Sequence, residues 1–130
     1  MSKKDMRKAT FKDLIAKKLK KENEKTVTKD IYVTSMDATL TFKKPSDDLV
    51  IDTMDIVGDG KDTRAAMRGY KKLIYMCCEM LQDTELHAEL EVVDPLDTVD
   101  VLFGLSDIME IGTEIMELID MSASVEEIKN

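Results

Sequence analysis

Apolar residues recur at every second position in one part of this chain, and that part limits the folds open to it. Ile31 and Val33 alternate with polar neighbours, and Leu40 and Phe42 do the same after a segment that suits a turn. A hairpin of two such strands is marginal in water on its own. Its apolar face must therefore pack on helices of the same chain or extend a sheet in a partner chain.

The rest of the chain spaces its apolar residues three and four positions apart, which is typical of amphipathic helices. The predicted helices follow the possible capping residues Thr10, Ser46, Asp62, Asp83, Asp94-Pro95 and Ser106. The helix after Asp62 has the broadest apolar face, which reaches Leu81, and we expect it to be the central helix of the core. The whole pattern predicts an α+β fold, mainly α, with a helical core of about five to six helices and one small β-hairpin.

The length of 130 residues suits one domain with one hydrophobic core. We expect a single domain over residues 1–130, with flexible ends at 1–10 and 122–130. Residues 20–29 show no apolar period. They are predicted to form a linker between the N-terminal helix, expected over about residues 11–21, and the hairpin.

Charge is distributed unevenly along the chain. Residues 1–25 hold ten Lys and Arg against four Asp and Glu, residues 83–130 hold one against fourteen, and the formal net charge is -8. Nucleic-acid binders neutralise phosphates with Lys and Arg, so this balance argues against a nucleic-acid partner. The basic start has two interpretations: a solvated helix face, or a segment that docks on the acidic half of the same chain or of a second copy. Self-association therefore stays open.

Few residues are available for catalysis or metal binding. His87 is the only histidine, which excludes a histidine-based triad or a pair of histidine ligands within one chain, and we expect it on a helix surface. Cys77 and Cys78 are adjacent on the apolar side of the central helix, where an inert buried thiol is the usual case. We therefore predict no enzymatic activity, no metal site and no cofactor.

The sequence shows neither the continuous apolar run of a signal peptide nor the roughly 20 apolar residues that span a bilayer. The two neighbouring cysteines also suit a reducing compartment. We expect a cytoplasmic protein with no membrane partner.

Ten methionines stand out in a chain without tryptophan. Several lie on or beside helical stripes, and flexible thioethers suit a groove that accepts varied apolar side chains. Ordinary core packing is the simpler interpretation, and a surface that receives a partner helix is the functional one. For the second, the helices from 95 to 120 are predicted to form the binding face. The predicted anchors are Leu102, Phe103, Met109 and Met116.

Three segments carry a further likeness. They are Leu81–Leu86 (LQDTEL), Asp94–Val99 (DPLDTV) followed by Leu102-Phe103, and Ile108–Ile111 (IMEI). In the order and spacing of these segments, and of the helices and strands from about Phe11 to Asp120, the chain resembles phage tail assembly chaperones of the XkdN-like family. That family occurs in contractile-tailed phages and PBSX-like prophages. The chain departs from it in lacking Trp and in the weak apolar pattern of residues 46–60.

The resemblance implies a function that the residues alone do not. It implies a chaperone that binds the tape measure protein of the phage tail, keeps it soluble until the tail tube assembles, and is absent from the finished virion. The alternative is a structural component of the virion, such as a tail-completion protein. A small regulator that uses the basic start as a nucleic-acid arm is a further alternative.

Overall fold

The structure, a computed structural model, describes the backbone of residues 6–129 and the side chains of residues 6–119. Its elements are α1 (Phe11–Glu24), β1 (Thr28–Val33), β2 (Ala38–Lys43), α2 (Asp47–Val57), α3 (Thr63–Cys77), α4 (Thr84–Glu89), α5 (Asp97–Leu102) and α6 (Leu105–Lys129). Two short 3-10 turns, Thr34–Met36 and Glu79–Gln82, join β1 to β2 and α3 to α4. Within the described residues, six helices and one antiparallel hairpin confirm the predicted mainly α, α+β fold.

The predicted flexible ends, residues 1–10 and 122–130, lie partly outside what the structure describes. Residues 1–5 and Asn130 are outside the described backbone, and the side chains from 120 onward are outside the described set. α6 itself is assigned through Lys129, past the predicted start of the C-terminal end at 122. The flexibility of both ends stays a prediction.

The hairpin packs on helices of its own chain. Ile31 pairs with Leu40 across the two strands, and Val33 pairs with Ala38. The side chains of Ile31, Val33, Leu40 and Phe42 are all buried, and they join one core cluster with residues of α3, α5 and α6. Of the two arrangements that the sequence left open for this face, the described chain adopts the first.

Helix α3 lies at the centre, in contact with α2, α5, α6 and β2. Glycines allow two of these contacts to be close. A Cβ on Gly69 would lie 2.5 Å from Cγ2 of Val57 on α2, and a Cβ on Gly112 of α6 would lie 2.5 Å from Cγ of Tyr70 on α3. The missing methyl groups therefore set the spacing between α3 and its two largest helical neighbours.

The linker predicted over residues 20–29 is shorter in the structure. α1 continues through Glu24 and β1 begins at Thr28, which leaves three residues between them. Lys and Glu are good helix formers, and the ion pair from Lys18 to Glu22, 3.8 Å long, has the favourable helical spacing of four. An exposed helix end needs no apolar period, so apolar spacing alone underestimates its length.

The end of the central helix also differs from the prediction. α3 ends at Cys77, and Leu81 is buried from the following 3-10 turn, not from the helix. The side-chain amide of Gln82 donates to the backbone oxygens of Tyr75 and Met76, at 2.9 Å and 3.2 Å. These bonds satisfy carbonyls that a continued helix would have used.

Two of the predicted helix caps are wrong. The Asp94 carboxylate accepts from the backbone N–H of Leu96 and forms a turn, and α5 begins only at Asp97. α6 begins at Leu105, because the Gly104 carbonyl already accepts from the N–H of Ile108. Ser106 is therefore an exposed residue inside the first turn of α6 and not its cap.

We expect Gly112→Ala to lower the free energy of unfolding by about 1–3 kcal/mol, because the new methyl group must displace the Tyr70 ring or separate α6 from α3. Chemical denaturation measures the change. Ser106→Ala on the same helix is the control, since this exposed helical position should tolerate the substitution with little effect. A Gly112→Ala protein as stable as wild type would contradict the close packing.

Candidate partner-binding groove

An open groove of about 550 Å³ lies between the hairpin turn, the 3-10 turn before α4, α4 itself and the end of α5. Its walls come from parts of the chain that are far apart in sequence. The residues that line it are Met36, Leu40, Met80, Leu81, Asp83, Glu85, Leu86, Ala88, Glu89, Leu102 and Phe103. We call this surface the acidic-rimmed groove.

The floor of the groove belongs to the core and its edge is exposed. Leu40, Leu81 and Phe103 are buried, and each also contributes to the core cluster. Met36 is 47% exposed and Met80 is 66% exposed. Flexible thioether side chains at the edge can adjust to apolar side chains of different shapes, while the floor stays fixed by core packing.

A hydrogen bond from the hairpin turn to α6 fixes Met36 at one edge. The Ser35 hydroxyl donates to the buried Asp107 carboxylate in the first turn of α6, at 2.5 Å. Asp37 follows with a left-handed backbone, and its carboxylate accepts from the Tyr32 hydroxyl at 2.6 Å. Asp tolerates this conformation better than most residues, so the turn is well determined by its sequence.

His87 secures the opposite edge. Its Nε2 lies 2.7 Å from the backbone oxygen of Leu81, and its ring stacks on Tyr75 with centroids 6.0 Å apart. The predicted helix-surface position is therefore wrong in part, because His87 is half-buried at the junction of the 3-10 turn and α4. This hydrogen bond joins α4 to the backbone next to Met80, whose side chain lines the groove.

α5 brings the third side of the groove into place. Val99 is completely buried, and the Lys71 ammonium of α3 lies 2.6 Å from the Asp100 carboxylate. The chain leaves the helix at Phe103, which turns inward to the core, whereas Leu102 stays 36% exposed at the groove edge.

The rim of the groove is acidic. Asp83, Glu85 and Glu89 are exposed there, and no Lys or Arg is among the described residues that line it. The carboxylate of Asp83 accepts from the N–H of Glu85, which keeps it at the start of α4. Apolar walls with carboxylates at the edge favour an apolar segment flanked by Lys or Arg.

The structure divides the four predicted anchors among three environments. Leu102 and Phe103 both line the groove, but Phe103 is part of its buried floor. Met109 lines a separate hollow beside Tyr32 of the hairpin. Met116 is half-buried and packs against the core cluster. The four residues therefore do not form one surface.

The four predicted anchors include neither Met36 nor Met80, which both line the groove. Met36 lies in a segment without regular spacing that predicts a turn, and Met80 is one of several methionines on or beside helical stripes, where spacing does not distinguish core from surface. Met80 reaches the groove because α3 ends at Cys77, an end that the apolar spacing, which continues to Leu81, does not indicate.

The two thiols are placed as inert groups. Cys77 and Cys78 are buried at 2% and 1% exposure. Burial raises the pKa of Cys77 to about 12, and burial also raises the pKa of Cys78. Because the thiolate is the reactive form, neither side chain is suited to nucleophilic chemistry.

Among the described residues, no group of three His, Cys, Asp or Glu side chains could hold a metal ion. No helix in the described part of the chain combines the length and the apolar character needed to cross a membrane. Comparisons with protein-family models, with curated proteins and with solved structures find no match to this chain.

We expect both native thiols to react very slowly with a thiol-specific disulfide reagent at pH 8, where a thiol with a pKa of about 12 is ionised in about one molecule in ten thousand. Unfolding removes the burial that raises the pKa, so both should react within minutes in denaturant. The released chromophore measures the rate. Rapid labelling of the folded protein would contradict the burial of Cys77 and Cys78.

Proposed function

We propose that this protein is a phage tail assembly chaperone, and that its acidic-rimmed groove holds an apolar helical segment of the tape measure protein. One observation carries the proposal: the groove has a buried apolar floor, exposed methionines at its edge and carboxylates on its rim. The resemblance to the XkdN-like family supplies the identity of the partner. The groove supplies the chemistry by which that partner would be held.

A chaperone that must later release its client needs an apolar contact of limited strength. Burying one large apolar side chain contributes about 1.5–3 kcal/mol, so three exposed edge anchors, Met36, Met80 and Leu102, contribute at most roughly 5–9 kcal/mol before the cost of association. The groove is open rather than enclosed, and its exposed anchors are flexible. These features support a reversible complex that growing tail-tube subunits can displace.

Acidity supports the same proposal in two ways. The formal charge of -8 favours solubility when the protein covers an apolar segment. The rim carboxylates Asp83, Glu85 and Glu89 disfavour acidic segments and favour Lys or Arg beside the bound apolar residues. The preferred site on the tape measure protein is thus an amphipathic helix with basic flanks.

As such a chaperone, the protein would act in the host bacterial cytoplasm and would be missing from the mature virion. Mass spectrometry of purified particles measures whether the protein is present in the mature virion. Its presence at a fixed number of copies per particle would instead favour a structural tail-completion protein.

Two substitutions at the groove edge test the binding site. We expect Met80→Asp with Leu102→Asp to weaken binding of a soluble tape measure fragment at least about tenfold, since the new charges are next to the acidic rim and remove two apolar contacts. Co-expression should show less of the fragment in the soluble fraction, and titration with a labelled fragment measures the affinity.

The matched control is Met54→Asp with Val93→Asp. These residues are 58% and 100% exposed, lie away from the groove lining, and change the net charge by the same amount. A third variant, Met109→Asp, tests the separate hollow beside Tyr32. Circular dichroism and thermal unfolding establish that each variant folds. If the groove variant keeps the fragment as soluble as the control does, the groove is not the binding site.

A further inference from the structure

Helix α1 carries an apolar stripe that the rest of the described chain leaves uncovered. None of its residues is buried. Phe11, Leu14, Ile15 and Leu19 lie at helical offsets of three, four and eight on one side, and Phe11 is 73% exposed. Such a stripe on a capped, regular helix is typical of a surface that binds another protein.

The same helix is basic. Five lysines lie between Phe11 and Glu24, against three acidic residues. A contact between two α1 helices would bring like charges together. The acidic-rimmed groove has the opposite charge, is apolar between its carboxylates, and is also uncovered in the described chain. The stripe of α1 therefore has the apolar character and the charge that the groove favours.

Helix α1 does not line the groove of its own chain. Glu24 lies 3.6 Å from the Lys44 ammonium, and Lys21 lies 3.9 Å from the Asp47 carboxylate. These contacts place the end of α1 beside the open end of the hairpin, whereas Met36 of the groove is in the turn at the other end. Strands of six residues separate the two ends by roughly 17–20 Å.

We propose that α1 docks its apolar stripe in the acidic-rimmed groove of a second copy of this chain. If two copies exchange α1 in both directions, the contacts are equivalent and close into a two-fold dimer. The groove is then covered by the basic helix of a neighbour when no other partner is present. The proposal depends on the groove being an open apolar site and not on the tape measure protein being its client.

Engineered cysteines test the contact between copies. Leu14→Cys is introduced in one preparation of the full chain and Met80→Cys in another, and the two are mixed and oxidised. The native Cys77 and Cys78 are buried, so disulfides should form between the new thiols. We expect a covalent heterodimer on a non-reducing gel, several-fold more abundant than with Val93→Cys, which is fully exposed and outside the groove. Equal yields with the two acceptors would overturn the proposal, and so would a mixture dominated by links between two Leu14→Cys chains.

Sedimentation of the unmodified protein gives an independent measurement. We expect a dimer whose dissociation constant rises at least tenfold in Ile15→Asp and also rises with salt, which screens the charges of α1 and the rim. This variant should fold, because α1 contributes no buried side chain to the core. A monomer at all concentrations would overturn self-association and leave binding of the tape measure fragment untouched. A dimer that fails to bind the fragment would overturn the proposed client and leave self-association supported.

Discussion

The contact between the hairpin and helices α3 and α6 holds the other features of this protein in place. Ile31, Val33, Leu40 and Phe42 bury the whole apolar face of the two strands in the core. At about 1.5–3 kcal/mol for each large apolar side chain, this face contributes roughly 6–12 kcal/mol that an isolated hairpin lacks. The docked hairpin then separates two surfaces: its turn forms an edge of the acidic-rimmed groove, and its open end carries α1.

Much of the fold follows from bonds that are local in sequence. Thr10, Asp62 and Asp83 were predicted as helix caps, and each accepts a hydrogen bond from a backbone N–H two or three residues later. Asp94 also accepts from the N–H two residues later, but that bond closes a turn and α5 begins only at Asp97, while Ser106 lies inside α6. A capping side chain shows where a helix can begin, but the path of the chain decides which N–H groups remain unpaired. At Ser106 the Gly104 carbonyl had already begun the helix.

The groove was less predictable than the fold because it is assembled from separate segments, and its hairpin edge at Met36 and Leu40 lies at least forty residues before the rest of its lining. A helical stripe indicates which residues share a face, but it does not reveal whether that face meets the core or solvent. Gly112 decides this on α6, since it brings the helix against Tyr70. Met116 lies one turn further along and is half-buried against the core, whereas Leu102 is the last residue of α5 and stays at the surface.

The charge gradient along the sequence acquires a physical role on the proposal that α1 covers the groove of a second copy. A binding surface for apolar helices is a liability when it is empty, because exposed apolar area promotes non-specific association. A basic helix of the same chain offers a weak and well-defined occupant, and a client must compete with it. The groove would then select segments that fit better than α1, with selectivity set by the difference between two affinities rather than by the strength of one.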